Sequence, residues 1–231
     1  MKVIVTGATG MVGSGVLLEC LESPAVERVL CLGRSPVGRR HAKLAEVVRA
    51  DLFDLAPVEA ELAGYDACFF CLGVSSLGMT EADYTRITHD LTLGIARTLH
   101  RLNPGMVFVY VTGVGTDSTE KGASMWARVK GRTENELLAL GFRAAYMFRP
   151  GFIQPMKGVR TRVRAYQALL TVFSPLWPAL RALFPSQVTT TEKIGLAMIH
   201  AVQRGYPTPV LAPKDINALA EDVAARPASP P

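Results

Sequence analysis

The residues best suited to chemistry lie near the start of the chain. Thr6-Gly7-Ala8-Thr9-Gly10-Met11-Val12-Gly13 follows a short apolar run, Lys2 to Thr6, and precedes a helical pattern near Val12 to Leu21. Strand, glycine turn and helix in that order make a phosphate cradle. One glycine allows the tight turn, another lets the backbone approach a pyrophosphate, and a third, near Gly13, lets the helix pack closely on the sheet. The helix start adds unpaired N–H groups and the positive end of its dipole. Gly7, Thr9, Gly10, Met11, Val12 and Gly13 are therefore expected to hold a dinucleotide.

The second strand, Arg28 to Gly33, bears on which dinucleotide. An NAD site usually ends this strand with a carboxylate for the ribose hydroxyls. Here the strand ends Cys31-Leu32-Gly33-Arg34-Ser35. The planar fork of Arg34 suits a 2′-phosphate, with Arg39 and Arg40 adding to the positive field, so NADP(H) is expected ahead of NAD(H). A plain solvated loop residue is the alternative reading of Arg34. Asp51 and Leu52, ending a third strand, are expected near the adenine.

Four cysteines, Cys20, Cys31, Cys68 and Cys71, are too scattered for a disulfide framework. Cys68-Phe69-Phe70-Cys71 has the spacing of a redox or zinc pair, but it lies in the apolar run Ala67 to Leu72. Positions three apart on a strand point to opposite faces, so buried structural thiols are expected and no metal is predicted.

The elements that must position these residues alternate. Strands are expected at Lys2 to Thr6, Arg28 to Gly33, Val47 to Ala50, Ala67 to Leu72, Met106 to Thr112 and Ala144 to Arg149. Helices are expected near Val12 to Leu21, Val58 to Leu62, Ala82 to Leu102 and Ser124 to Leu140. The strands are continuous apolar runs, as when helices cover both faces. Such alternation predicts an α/β fold, a doubly wound parallel sheet. After Arg149 the character changes. Pro150, Gly151, Pro155 and Gly158 mark a loop, and an apolar, proline-punctuated stretch runs on to Pro185. Thr189-Thr190-Thr191-Glu192 reads as a capping box starting a helix to about Arg204. Thr208 to Ala212 suggests a last strand, and Ala224 to Pro231 a frayed end.

The 231 residues, 49% hydrophobic and 19% charged, suit one folded domain. With 25 Lys+Arg against 20 Asp+Glu the net charge is +5. The basic groups, Arg28 to Arg49 and Lys157 to Arg164, lack interleaved aromatics, so nucleic acid is not the expected partner. No signal peptide is visible, because Val3 to Val5 run straight into the glycine turn. The apolar stretch from Ala165 to Pro185 is interrupted by Ser174, Pro175, Pro178 and Arg181, which argues against membrane insertion. A soluble, cytoplasmic protein is the resulting expectation.

With these residues in view, the chain resembles the short-chain dehydrogenase/reductase superfamily, in its extended or atypical branch of NAD-dependent epimerase/dehydratase-like proteins. The Tat-interacting-protein-like group is the nearest in pattern. The resemblance covers roughly residues 1 to 155. It rests on Gly7-x-x-Gly10-x-x-Gly13, Gly33-Arg34, Asp51-Leu52, Cys71-Leu72-Gly73, Thr112-Gly113, Lys130-Gly-x-x-Glu134 and Arg149-Pro150-Gly151. It implies a Rossmann-type sheet over a single domain, residues 1–231, with 152–187 an inserted lid or substrate-side segment. It also implies cofactor contacts from Cys71, Leu72, Gly73, Lys130 and Pro150. The family's active site pairs Tyr-x-x-x-Lys on a helix with a Ser or Thr at the end of the preceding strand. By that resemblance Lys130 holds the nicotinamide ribose and Thr112 orients a carbonyl.

Here the motif reads Trp126-Ala-Arg-Val-Lys130. An indole N–H donates a hydrogen bond but is no general acid near neutral pH, and losing such help typically costs about 10²–10⁴-fold in rate. Substitute proton sources are Tyr84, Tyr110, Tyr146 or a water held by Ser124, and the sequence favours none. Alternatively the motif is shifted and Trp126 only packs; Lys130 and Glu134 can likewise be a helix-stabilising i, i+4 pair. Two functions stay open: an NADP(H)-dependent reductase of an apolar carbonyl compound with an atypical proton donor, or a catalytically inactive NADP(H) sensor or partner-binding module. In the first, Tyr166 to Phe184 forms an apolar lid, or else core or dimer surface. Arg160, Arg162 and Arg164 receive an anionic tail or form a solvated face. A homodimer through the long helices is a fold-level expectation.

Overall fold

Seven parallel strands follow from the alternation, and their order places the site. The computed structural model describes residues 1–158 and 186–224, with side chains to 221. The chain runs β1 (Lys2–Thr6), α1 (Met11–Glu22), β2 (Arg28–Gly33), β3 (Leu44–Val48), a 3₁₀ turn (Ala56–Val58), α2 (Glu59–Leu62) and β4 (Ala67–Phe70). It continues with α3 (Glu81–Thr85), a π-helical turn (Arg86–Asp90), α4 (Leu91–Leu102), β5 (Val107–Val111), α5 (Met125–Ala139), β6 (Ala144–Phe148) and β7 (Phe152–Gln154). After residue 185 come β8 (Val188–Thr190), α6 (Thr191–Arg204), β9 (Val210–Leu211) and α7 (Pro213–Ala224).

The main sheet has the order β3-β2-β1-β4-β5-β6-β9, every neighbouring pair parallel. From β1 the chain winds outward to β2 and β3, then crosses back to β4. That reversal opens a crevice at the carboxyl ends of β1 and β4, where sheets of this Rossmann type bind ligands.

Both faces of the sheet are core. Val3 and Val5 of β1 pack with α1, α6 and α7, while Ile4 between them joins Leu30, Phe70, Phe108 and the α4 side. Successive strand residues point to opposite faces, and both faces are covered, so the strands carry no polar alternation. The same geometry separates Cys68, buried on the α4 side, from Cys71, packed on the α1 side; all four cysteines are free.

Several boundaries differ from expectation. The third strand is Leu44–Val48 rather than Val47 to Ala50, because pairing Val29 with Leu44 sets its register. An edge strand exposes half its residues, so an apolar run locates it poorly. Asp51 and Leu52 consequently sit in the loop beyond the strand. The helix foreseen from Ala82 to Leu102 is α3 and α4 joined through the π turn. The N-cap of α6 is Thr190, whose Oγ1 accepts from Lys193 N at 3.0 Å, not Thr189, which pairs with Ile153. The loop foreseen after Arg149 contains β7, which pairs in parallel with β8. Most of the expected lid (152–187), with Tyr166 to Phe184 and Arg160, Arg162 and Arg164, lies outside the described residues, as does the end beyond Ala224. No helix among the described residues is long and apolar enough to cross a membrane.

Candidate functional site

The glycine turn is built by close contacts. Gly7 has φ +67°, and a Cβ on it would lie 2.6 Å from the backbone of Cys71 and Leu72. A Cβ on Gly13 would lie 2.2 Å from the Gly7 carbonyl oxygen. So Gly7 lets the turn meet the end of β4, and Gly13 seats the helix on the turn itself. Gly10 donates its N–H to Gly7 O at 2.8 Å and N-caps α1 without a side-chain cap. No acidic residue sits in the first turn of α1, so its N–H groups remain available to an anion.

These groups line a cavity of about 400 Å³. Its walls are Gly7 to Val12, Cys31 to Ser35 with Val37, and Cys71 to Gly73. A second cavity of about 310 Å³ adjoins it, lined by Ala50 to Phe53, Asp83, Arg86, Ile87 and Leu91. Arg34, Leu72 and Gly73 line both cavities. Both volumes fall in the range of ligand pockets. Arg34 is exposed and has no hydrogen bond or ion pair among the described residues. The donors present fit a dinucleotide: backbone N–H groups at a helix start, a glycine turn with no room for a Cβ at Gly7 or Gly13, and an unpaired guanidinium.

The expected catalytic group gathers around the carboxyl end of β5. Lys130 on α5 donates from Nζ to the Thr112 carbonyl oxygen at 3.1 Å. Burial pushes its ammonium down to about 8, with Glu134 acting in the opposite direction. Trp126, one turn earlier, is half-buried, and its ring lies so close to Gly115 that a Cβ there would sit 3.3 Å from Cη2. The Thr112 hydroxyl lies 2.6 Å from Glu134 Oε1 and 3.2 Å from Phe148 O. Its single proton is thus engaged inside the protein rather than offered to a substrate carbonyl.

Beneath this group lies an ion pair that sequence reasoning missed. The Glu134 side chain is 1% exposed and Arg149 19%. Arg149 Nε reaches both Glu134 oxygens at 3.1 Å, and its terminal NH2 donates to Glu134 Oε2 and to Ser118 Oγ. Glu134 had suggested only a helical partner for Lys130, and Arg149 only the start of a loop. The contact joins residues 15 apart in sequence through the packing of α5 on β6, which helical spacing does not report.

The structure brings Gly7, Thr9, Gly10, Met11, Val12, Arg34, Cys71, Leu72 and Gly73 to one cavity, and Asp51 and Leu52 to the next. Gly13, Thr112, Trp126, Lys130 and Pro150 line neither; Pro150 O instead accepts from Val114 N at 3.0 Å, tying the exit of β6 to the loop after β5. The substitute proton sources do not converge there. Tyr84 and Tyr110 are buried, and burial raises both phenols. Tyr146 packs on the α1 side, where its hydroxyl oxygen accepts from Tyr206 N at 3.0 Å. Arg39 and Arg40 line neither cavity. Lys157 is no free cation: it pairs with Glu19 at 2.7 Å and Glu22 at 2.6 Å.

Residues 3–120 match the model of the NAD dependent epimerase/dehydratase family. The chain belongs to this family. Membership and fold together give it the Rossmann-type, nucleotide-dependent frame of that family. The chain is 28% identical over 211 residues to "Protein fmp52, mitochondrial" of Emericella nidulans, covering 87% of this chain and 86% of that one. Among solved structures it is similar to UDP-N-acetylglucosamine 4-epimerase from Methanobrevibacter ruminantium M1, with a TM-score of 0.68 and 17% identity over 96% of this chain and 81% of that one. UDP-glucuronic acid 4-epimerase from Bacillus cereus, solved in complex with NAD, gives a TM-score of 0.66 and 15% identity over 99% and 84%. Identities this low establish the shared fold alone.

The relatives correct one expectation. Fmp52 proteins of several fungi are named as mitochondrial, so the cytoplasmic assignment does not stand. Neither composition nor an apolar first strand encodes a compartment, since the same fold works in any aqueous one.

Proposed function

We propose that this family member is an NADP(H)-binding reductase of apolar carbonyl compounds. The observation that carries the reading is Arg34: unpaired, at the junction of two adjoining cavities, on a strand end without a carboxylate. The uncapped first turn of α1 is the pyrophosphate site, and the Arg34 fork meets a 2′-phosphate with paired charge-assisted hydrogen bonds. The Bacillus cereus epimerase was solved with NAD; the NADP(H) preference proposed here rests on Arg34 at a strand end without a carboxylate. When bound, the nucleotide supplies the hydride. Lys130 is the group for its ribose hydroxyls, and its depressed ammonium is also able to release a proton near neutral pH.

An apolar substrate is supported by what the strand ends expose. Leu77 after β4 is 90% exposed, Val114 after β5 49%, and Phe152 after β6 58%. Apolar side chains held in water at the carboxyl ends of three adjacent strands would gain by covering an apolar ligand.

A second reading, an inactive NADP(H) sensor or partner-binding module, is favoured by one observation: the Thr112 hydroxyl is committed to Glu134, while Tyr84, Tyr110 and Tyr146 are buried elsewhere. Trp126→Tyr separates the two. With NADPH and a panel of aliphatic and aromatic aldehydes and ketones, a reductase should gain about 10²-fold or more in NADPH oxidation. No gain, with NADPH affinity unchanged by calorimetry, favours the sensor. Failure of the wild-type protein to bind either NADPH or NADH sinks both readings.

A further inference from the structure

The second cavity holds another cation that the glycine-turn pattern does not mention. Arg86 opens the π-helical turn between α3 and α4 and lines the same cavity as Arg34. We propose that Arg86 is a second specificity-determining residue for NADP(H), reaching the ribose 2′-phosphate from the π-helical turn while Arg34 reaches it from the end of β2. The proposal rests on the nucleotide-binding reading above and adds to it a residue from a separate element.

Three observations carry it. First, Arg86 is exposed and, like Arg34, has no ion pair among the described residues, so its hydrogen-bond donors remain available. Second, its guanidinium lies over the Phe53 ring, 5.5 Å from the centroid. A cation–π contact steadies a guanidinium without using its N–H groups, which keeps the fork directed but unspent. Third, the carboxylates lining the cavity accept hydrogen bonds from neutral neighbours in sequence. Asp51 Oδ1 accepts from Phe53 N at 2.8 Å, and Asp83 Oδ2 accepts from the Thr80 hydroxyl at 2.7 Å. Neither forms an ion pair with Arg34 or Arg86 among the described residues. Asp51 and Asp83 offset the two guanidiniums in charge but hold neither of them, and a dianionic phosphate gives both forks a bonded partner. The π turn fits the role, because such turns recur at functional sites.

The test is calorimetric titration of wild type, Arg86→Gln, Arg86→Lys and Arg34→Gln with NADPH, NADH and 2′,5′-ADP at fixed ionic strength. Arg86→Gln should weaken NADPH and 2′,5′-ADP binding by about tenfold or more while leaving NADH within about twofold, as expected for lost hydrogen bonds to a charged group. Arg86→Lys, which restores the charge without the fork, should recover part of the loss. Equal weakening toward NADPH and NADH, or no change toward either, overturns the proposal. If wild type favours NADPH, and only Arg34→Gln abolishes that preference, Arg86 is excluded while the nucleotide reading survives. Wild-type protein that binds neither nucleotide removes both.

Discussion

Replacing Arg149 with methionine should be among the costliest single changes in this protein. Glu134 is 1% exposed, and its carboxylate is held by the Thr112 hydroxyl at 2.6 Å and by two nitrogens of Arg149. Removing the guanidinium leaves a buried carboxylate with one hydroxyl donor and only the neighbouring Lys130 ammonium to balance it, a class of change that costs about 3–5 kcal/mol. At about 2–4 °C per kcal/mol for a chain of this size, melting should fall by about 6–20 °C. Glu134→Gln should cost less, about 1–3 kcal/mol, because Arg149 is partly exposed and keeps Ser118. The double variant should be no less stable than Arg149→Met, since the uncompensated charge is gone. Urea denaturation of the four proteins at neutral pH gives the coupling energy, expected to be at least the cost of Glu134→Gln, about 1–3 kcal/mol. A cost below about 1 kcal/mol for Arg149→Met, or additivity within about 0.5 kcal/mol, would refute the view that this pair anchors α5 to β6 beneath Lys130.

Three further outcomes are expected. Gly13→Ala drives a methyl group to 2.2 Å from the Gly7 oxygen, so the turn must open; NADPH affinity measured by fluorescence titration should fall more than about tenfold, and unchanged affinity would remove the turn from the site. Burial depresses the Lys130 ammonium to about 8 against an ordinary 10.5, so between those values the unfolded chain binds more protons than the folded one. Stability contributed by this group therefore rises with pH across that window, and urea unfolding of wild type against Lys130→Met at about pH 7.5 and about pH 10 should show a difference that grows in favour of wild type; a flat difference contradicts the burial. Burial also raises all four thiols, Cys31 to about 12. Native protein should resist a chromogenic disulfide reagent near pH 8 and react at every cysteine once unfolded, and rapid labelling of native Cys68 would contradict its place in the core.

Sequence alone determined the elements whose signal is local. A buried parallel strand must be apolar on both faces, so β1, β2, β4, β5 and β6 were legible within a residue or two. The glycine turn was legible because glycine is required wherever a Cβ would strike backbone, at Gly7 and Gly13. The opposite fates of Cys68 and Cys71 followed from strand geometry. Tertiary packing decided the rest, since those features join residues that no short-range period connects. The register of β3 comes from its pairing with β2, and β7 exists because Phe152–Gln154 meets Val188–Thr190 across a long gap in sequence. Thr112 carried the right residue type for its expected role, yet the Glu134–Arg149 pair claims its proton. Arg86 falls within the stretch expected as one helix, Ala82 to Leu102, and only the π turn and Phe53 set it at the cavity that Arg34 also lines.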